Sequence, residues 1–408
     1  MTKKALGEPE LQRFVAKAEA YRLALKSSPA ARNFELVPIL AALESIRKKL
    51  ALSRSELRVI DLMSGDGFLS RALFKFGYKN LHAIESCNEM SFGSPAYNEV
   101  PLISPPNVQE ALRAIGPLNP HVVVSLASFH HLIEYNVSGE VNLKKSAEIQ
   151  KNVIEGVINN APNLAAFVCC DLFQDEIESQ NEDSIEVTRG AFSFALNYQS
   201  GPLLGLMQPR RSETLADWSK RVSEKSLGNA ESNPALHWFR NAVDGHTSIG
   251  HKDAALSVEL VSFLRQIPNC DICLGRFSCP WVFTSKDELV SFVHRKFGYS
   301  LDFELKSNRA ELDRLLDRHA HITERDGRVY FDWALSALVV ERNNLRRDRS
   351  ALLTLWSILF FGFALASAFA FLFGSAVFSI DIDFIVKTGL GVAIGGLIAT
   401  LIDVGNGN

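Results

Sequence analysis

The stretch VIDLMSGDGFLSRAL, residues 59–73, decides the fold because an apolar run meets a glycine turn that leads straight into a helical pattern. Gly65 and Gly67 permit a tight turn and a close approach of the backbone to a ligand. The next apolar run, LHAIES at 81–86, places Glu85 at its end, where a carboxylate can accept hydrogen bonds from both hydroxyls of a ribose. This order of strand, glycine turn, helix, strand and terminal acid predicts a nucleotide-binding unit.

Strands and helices alternate outward from this unit. HVVVSLAS (121–128) and LAAFVCCDLF (164–173) are apolar runs typical of strands buried on both faces, and a helical pattern at 147–160 lies between them. Residues 322–342 carry an Asp-Gly turn between two extended runs, which predicts a hairpin. The alternation predicts an α/β fold with a Rossmann-like, mostly parallel sheet.

Three motifs resemble a known family. VIDLMSGDGFLSRAL followed by LHAIESCNEM is similar to the first two motifs of class I S-adenosylmethionine (SAM) dependent methyltransferases, and HVVVSLASFHHL resembles their fourth-strand motif. The resemblance covers about residues 33–173 and resumes at 310–342, where it implies a reversed final hairpin strand. It therefore implies an enzyme that uses SAM as its cofactor.

The resemblance also implies the roles of individual residues. Glu85 would hold the ribose, and Ser86 and Cys87 would lie near the adenine. Ser125 through His131 would form the lip between SAM and the methyl acceptor. Met63 departs from the pattern, because many family members have a glycine there. The residues implied to line the methionine end of SAM are Asp61, Ser64, Gly65, Asp66 and Gly67.

The glycine turn suits SAM better than a nicotinamide dinucleotide. The dinucleotide pattern needs a third glycine for close helix packing, and Ser70 occupies that position. A pyrophosphate binds at an unobstructed helix N-terminus, where Asp66 would repel it. The sulfonium of SAM is a cation, so acids nearby suit it.

Two histidines are candidates for proton transfer. His130 and His131 follow the fourth strand, where an acceptor would lie, and either imidazole can act as a base near neutral pH. The alternative is that one histidine packs in the core and the other orients the loop.

Other residue groups are better explained by packing. Cys270, Cys273 and Cys279 have spacings that a metal site could use, but Cys273 and Cys279 fall in an apolar run typical of a strand, so we predict no metal. Trp218, Trp238 and Trp281 could line an acceptor pocket, although packing is the commoner role of tryptophan.

The end of the chain differs in composition from the rest. Ala351–Ile380 contains no charged residue, and 384–402 is apolar apart from Lys387, so residues 351–402 read as a two-span transmembrane hairpin. Four arginines just before it place the preceding domain in the cytoplasm by the positive-inside rule, which predicts a multi-pass protein of the cell membrane. The alternative is a buried core hairpin of a soluble protein. The net charge of −3 gives no support for nucleic-acid binding, which needs a basic face, so we predict no nucleic-acid partner.

Together these patterns predict a membrane-anchored SAM-dependent methyltransferase acting on a small-molecule or lipid-linked acceptor. The alternative is a SAM- or nucleotide-sensing membrane effector that forms homo-oligomers through its C-terminal hairpin, in which Gly391 and Gly395 permit close helix approach. The expected segments are N-terminal helices (1–52), a SAM-binding core (53–175), an insertion that could bind the acceptor (176–308), the last helix and strand hairpin of the core (309–345) and the membrane hairpin (351–402).

Overall fold

The structure is a computed structural model that divides into two compact units, residues 1–342 and 343–408. The residues it describes are 18–134, 136, 141–173, 185–186, 208–222, 256–297, 309–320, 322–325 and 327–343. The predicted membrane hairpin, 351–402, lies outside the described residues. Among the described helices, none combines the length and the apolar character that crossing a membrane requires.

In the described part of the chain, ten strands form two sheets. The strands are β1 Val59–Leu62, β2 Leu81–Ile84, β3 Leu102–Ile103, β4 Val122–Leu126, β5 Ala166–Asp171, β6 Cys270–Ser278, β7 Trp281–Phe283, β8 Ile322–Arg325, β9 Arg328–Phe331 and β10 Ala334–Arg342. The larger sheet has seven strands in the order β3-β2-β1-β4-β5-β10-β6, and β7, β9 and β8 form the smaller one. β1 to β5 pair in parallel, whereas β10 is antiparallel to both β5 and β6. This confirms the Rossmann-like, mostly parallel sheet with a reversed final strand.

The helices pack around this sheet. Among the described residues, the helices of seven residues or more are α1 Ala18–Ser27, α2 Leu36–Leu50, α3 Phe68–Phe76, α4 Val108–Leu118, α5 Leu143–Asn160, α6 Leu215–Val222, α7 Val258–Leu264, α8 Lys286–Phe297 and α9 Arg309–His319. α3 ends where Gly77 takes a left-handed φ of 111°, and the side chain of Asn142 caps the start of α5. One face of the sheet is buried against α4, α5 and α7 in a cluster that includes Val123, Phe167 and Val157.

The predicted hairpin at 322–342 is only partly as expected. β8 and β9 do form an antiparallel pair, but β9 belongs to the smaller sheet, while the reversed strand of the main sheet is β10. The extended run breaks at Asp332 and Trp333, because its two halves pair with strands of different sheets.

The edge of the main sheet comes from the segment interpreted as an insertion. β6 lies within 176–308, and all nine of its residues pair with β10. That part of the segment therefore belongs to the core sheet. The apolar cysteine-containing run had indicated a strand but not its place in this sheet.

The strand order identifies the functional edge of the sheet. β2 and β3 lie on one side of β1, and β4 lies on the other. Ligands of open α/β sheets bind outside the carboxyl ends of the strands at such a point of reversal. The residues after β1 and β4 are therefore where a site is expected.

Candidate functional site

The turn between β1 and α3, residues 63–67, is held in an unusual backbone conformation. Met63, Gly65 and Gly67 have φ values of 58°, 57° and 77°, all in the left-handed region. A residue with a side chain pays roughly 1–2 kcal/mol in this backbone conformation, so the backbone of Met63 is strained. Many members of the family that the sequence resembles have a glycine at this position. Strain of this kind persists where the surroundings impose it, and it is common at functional sites.

Glu85 closes the turn from the end of β2. One carboxylate oxygen accepts the N–H of Gly65 at 2.7 Å, and the other accepts the N–H of Cys87 at 2.7 Å. Burial raises the pKa of Glu85, although the two backbone donors oppose this effect. Each carboxylate oxygen has a second lone pair, so the group can also accept hydrogen bonds from a ligand.

Asp61 lies beneath the turn. It is 1% exposed and accepts a hydrogen bond from the Ser70 hydroxyl at 2.6 Å. Burial raises the pKa of Asp61 to about 7, although this hydrogen bond opposes the shift. Asp61 therefore ties β1 to the first turns of α3.

The chain itself covers part of the turn. Tyr97 donates a hydrogen bond to the carbonyl of Gly65 at 2.7 Å, and its oxygen lies 2.9 Å from the Ser64 hydroxyl. A Cβ on Gly67 would lie 2.5 Å from that of Ala96, whereas a Cβ on Gly65 would meet only the methyl of Met90, at 3.8 Å. Gly67 is thus required by packing against residues 96–97, and Gly65 presents the more open side.

The residues after β4 meet the same edge. Ala127 has a left-handed φ of 50°, and the Ser128 hydroxyl donates to the carbonyl of Met63 at 3.0 Å. This bond joins the turns that follow β1 and β4. Ser125, which the resemblance places at the lip, is fully buried within β4, and its hydroxyl has no hydrogen-bond partner among the described residues.

His130 pairs with a carboxylate that the sequence did not predict. Its Nδ1 lies 2.6 Å from a carboxylate oxygen of Asp171, the last residue of β5, and its backbone N–H donates to the other oxygen at 3.2 Å. Burial alone would raise the pKa of Asp171, but His130 holds it below the ordinary value. An ionised carboxylate carries no proton, so Nδ1 must be the protonated nitrogen, which leaves the lone pair of a neutral imidazole on Nε2. The ring of His131 lies 3.9 Å from that of His130, between centroids.

The donor set fits an adenosine that carries a positive charge. Glu85 provides acceptors for ribose hydroxyls, Gly65 leaves room for a ligand, and Asp66 adds a carboxylate beside the turn. Burial raises the pKa of Asp66, with Arg32 as the main opposing charge. A cation bound nearby would favour the charged carboxylate, whereas a pyrophosphate would not.

The structure brings together most of the predicted cofactor residues. Asp61, Ser64, Gly65, Asp66 and Gly67 form or underlie the turn, Glu85 bonds to it, and Ser86 follows Glu85. Asp171 and Tyr97 were missed. Asp171 could have been predicted, because an acid at the end of an apolar strand lies at the functional edge of the sheet. Tyr97 could not, because it lies in a loop without periodicity.

Of the other candidate groups, the described tryptophans lie in the core, whereas Cys270 and Cys273 are half-buried in β6. Trp238 lies outside the described residues. Trp218 and Trp281 are both 0% exposed. Cys270 and Cys273 lie three residues apart in β6, which puts their side chains on opposite faces of the strand. Across the described ranges, no group of three His, Cys, Asp or Glu side chains could hold a metal ion.

Comparisons with known proteins give remote structural similarities. No family model matches the chain, and no curated protein matches it. The plantazolicin methyltransferase BamL, in complex with a triazolic desmethylPZN analogue and SAH, is 10% identical over 82% of this chain and 94% of its own, with a TM-score of 0.38. The plantazolicin methyltransferase BpumL, in complex with SAH, is 10% identical over 82% and 98%, with a TM-score of 0.34. A methyltransferase-like protein from Bacillus halodurans C-125 is 13% identical over 73% and 98%, with a TM-score of 0.31.

Proposed function

We infer that the protein is a SAM-dependent methyltransferase. The observation that carries this inference is the buried carboxylate of Glu85, which ends β2 and accepts the N–H of Gly65 in the strained turn. This places a ribose-binding acid beside an open glycine at the point where the strand order reverses.

The residues of the turn bind and orient the cofactor. Bound SAM supplies a methyl group that its sulfonium makes reactive. Glu85 accepts hydrogen bonds from the ribose hydroxyls, and the backbone of Gly65 lets the ligand approach the turn. Asp66 contributes a negative charge that favours a cationic ligand. Holding the methyl group and the acceptor in line provides much of the rate enhancement in such a reaction.

His130 takes the proton of the acceptor, and Asp171 positions its ring. A carboxylate oxygen of Asp171 accepts the hydrogen bond that the Nδ1–H of His130 donates and fixes the ring, so that Nε2 is the nitrogen able to take a proton. A positioned base of this kind contributes roughly 10²–10⁴-fold to a rate. His131 packs against the ring of His130 and is a candidate for the same role.

The test of the enzymatic function follows a labelled methyl group. Full-length protein is incubated with methyl-labelled SAM and with membrane and cytosolic extracts, and the label is traced into products. We expect transfer by the wild-type protein, slower transfer by His130→Ala, and unchanged SAM binding by that variant. SAM binding without transfer in any extract would favour the alternative, a SAM-sensing membrane effector.

The acceptor is a small molecule or a lipid-linked molecule, and residues 351–402 hold the enzyme at the cell membrane with the SAM-binding domain in the cytoplasm. This part of the proposal is supported by the uncharged run 351–380 and by the arginines before it. A tether would raise the local concentration of membrane-bound acceptors.

Fractionation tests the tether. Full-length protein should stay in the membrane pellet after an alkaline wash, and a chain that ends at Ser350 should move to the supernatant. Release of the full-length protein by the wash would contradict the membrane hairpin.

A further inference from the structure

Lys296, near the end of α8, is a buried cation with an uncommon environment. Lys296 is 7% exposed, and its ammonium lies 4.5 Å from the ring centre of Trp281 and 5.2 Å from that of Tyr21. Among the described residues, no carboxylate lies within ion-pair distance of it. Burial lowers the pKa of Lys296 well below its ordinary value, and the neighbouring Arg32 adds to this effect. An ammonium in such a place needs a compensating anion to remain charged.

The neighbouring charges are already paired with one another. Arg32 donates through Nε to one carboxylate oxygen of Glu35 at 2.8 Å and through Nη1 to the hydroxyl of Tyr21 at 3.0 Å. The other carboxylate oxygen of Glu35 accepts the indole N–H of Trp281 at 2.6 Å. Arg32 and Glu35 therefore neutralise each other and leave Lys296 without a close partner.

Two carboxylates act on Lys296. Glu35 and, to a smaller extent, Asp66 oppose the fall in the pKa of Lys296, which burial and Arg32 cause. Glu35 is already paired with Arg32, whereas Asp66 is not. In turn, burial raises the pKa of Asp66, and Lys296 is among the cations that oppose that rise. The two side chains thus carry opposite charges that act on each other without forming a direct ion pair.

Two sets of contacts connect this pair with the glycine turn. Tyr21 packs against Cys87 and Met90, and the methyl of Met90 lies 3.8 Å from the position that a Cβ on Gly65 would take. On the other side, the guanidinium of Arg32 lies 5.1 Å from the ring centre of Phe68, the first residue of α3. Lys296 is therefore connected with the open side of the turn through Tyr21 and Met90.

We propose that Lys296 and Asp66 together recognise the amino-acid end of SAM, with Lys296 binding the α-carboxylate and Asp66 binding the α-ammonium. This inference rests on the proposed SAM-dependent function and assigns a specificity role to a residue from outside the nucleotide-binding motifs. A zwitterion carries two opposite charges a few bonds apart, and an opposite pair on the protein complements both of them. Charge-assisted hydrogen bonds to a carboxylate are among the strongest that a lysine makes.

A ligand without the α-carboxylate separates the role of Lys296 from that of Asp66. Decarboxylated SAM keeps the ribose, the sulfonium and the amine but lacks the carboxylate. Wild-type protein should therefore bind SAM about 10–100-fold more tightly than decarboxylated SAM, since the charge-assisted bond of the carboxylate is worth about 1.5–3 kcal/mol. The preference arises from Lys296 and not from the turn.

The experiment is a calorimetric titration of the full-length protein with both ligands. Lys296→Met should lose the preference, with SAM binding weakened about 10–100-fold and decarboxylated SAM bound within about 2-fold of wild type. Its retained binding of decarboxylated SAM also shows that the variant is folded. Asp66→Asn should weaken both ligands, because both carry the amine. Arg295→Met, an exposed cation beside Lys296 in α8, is the matched control and should change neither affinity.

Two results would overturn the inference while leaving the methyltransferase proposal in place. One is equal weakening of both ligands by Lys296→Met, which would mean that Lys296 only supports the fold. The other is equal affinity of the wild-type protein for SAM and decarboxylated SAM. A wild-type protein that binds neither ligand would overturn the proposed function and this inference with it.

Discussion

The glycine turn at 63–67 and the aromatic cluster around Trp281 border the same site, but they are built by opposite means. The turn is made of consecutive residues whose backbone takes left-handed angles. The cluster joins Trp281, Phe297 and Trp333, and its indole N–H reaches Glu35, 246 residues away in the chain. The turn therefore depends on local conformation, whereas the cluster depends on tertiary packing. Changes in the first should act through the backbone, and changes in the second through buried charge.

The largest effect is expected at the pair of His130 and Asp171, where the ends of β4 and β5 meet. Asp171→Asn removes the negative charge that holds the proton on Nδ1 of His130, so the ring loses its fixed tautomer. Methyl transfer to an acceptor in extract should slow by about 10²–10⁴-fold. SAM affinity and thermal unfolding should stay close to wild type, which separates a positioning role from a structural one. An unchanged transfer rate would contradict the role of His130 as the base.

The packing of the turn can be tested with two glycines that share the left-handed backbone conformation but differ in the room available for a Cβ atom. Gly67→Ala should destabilise the protein by about 2–5 kcal/mol, since a Cβ would clash with Ala96 at 2.5 Å in addition to the backbone strain. Gly93, at φ 68°, has no atom near its Cβ position. Gly93→Ala should therefore cost only the strain, about 1–2 kcal/mol. The measurement is urea unfolding of both variants, and equal losses would mean that residues 96–97 do not pack on the turn as described.

These two regions also differ in how well the sequence predicted them. Asp61, Gly65 and Glu85 lie within 25 residues of one another, so strand and turn signals were sufficient to place them. Lys296 reaches the site only because α8 packs there, and no local pattern in its helix indicates a ligand. Ser125 shows the converse: its position in the motif was identified, but the fully buried side chain lies within β4.

The break between β9 and β10 was missed for the same reason. The run 328–342 is continuously extended in the sequence, and only the pairing of its two halves with different sheets reveals the interruption at Asp332 and Trp333. Strand propensity predicts an extended backbone but not which strand will be the partner.

The effect of a buried carboxyl group next to the aromatic cluster on stability can be tested at Asp332. Burial raises the pKa of this residue to about 7, and one of its oxygens has no partner among the described residues. Between the unfolded pKa near 4 and the folded value, the folded state holds a proton that the unfolded state has lost, so stability falls as the pH rises. Asp332→Asn has no carboxyl that titrates, so its free energy of unfolding does not fall in this way. Relative to wild type, the free energy of unfolding of this variant should therefore be about 2–3 kcal/mol higher at pH 8 than it is at pH 5.

Urea unfolding at the two pH values measures this gain. Asp271→Asn, at an exposed position in β6, is the control, and its difference from wild type should not grow with pH. A difference for Asp332→Asn that is the same at pH 5 and pH 8 would mean that the carboxyl is not buried in the folded protein.

The most direct test of the proposed function is calorimetric titration of the full-length protein with SAM. We predict saturable binding that Glu85→Ala weakens by about 1–3 kcal/mol, because the ribose loses its charge-assisted hydrogen bonds. Glu89 is an exposed acid four residues further on, and Glu89→Ala should leave the affinity unchanged. Wild-type protein that does not bind SAM, or a folded Glu85→Ala variant that binds it as tightly as wild type, would contradict the proposed role of Glu85 in binding SAM.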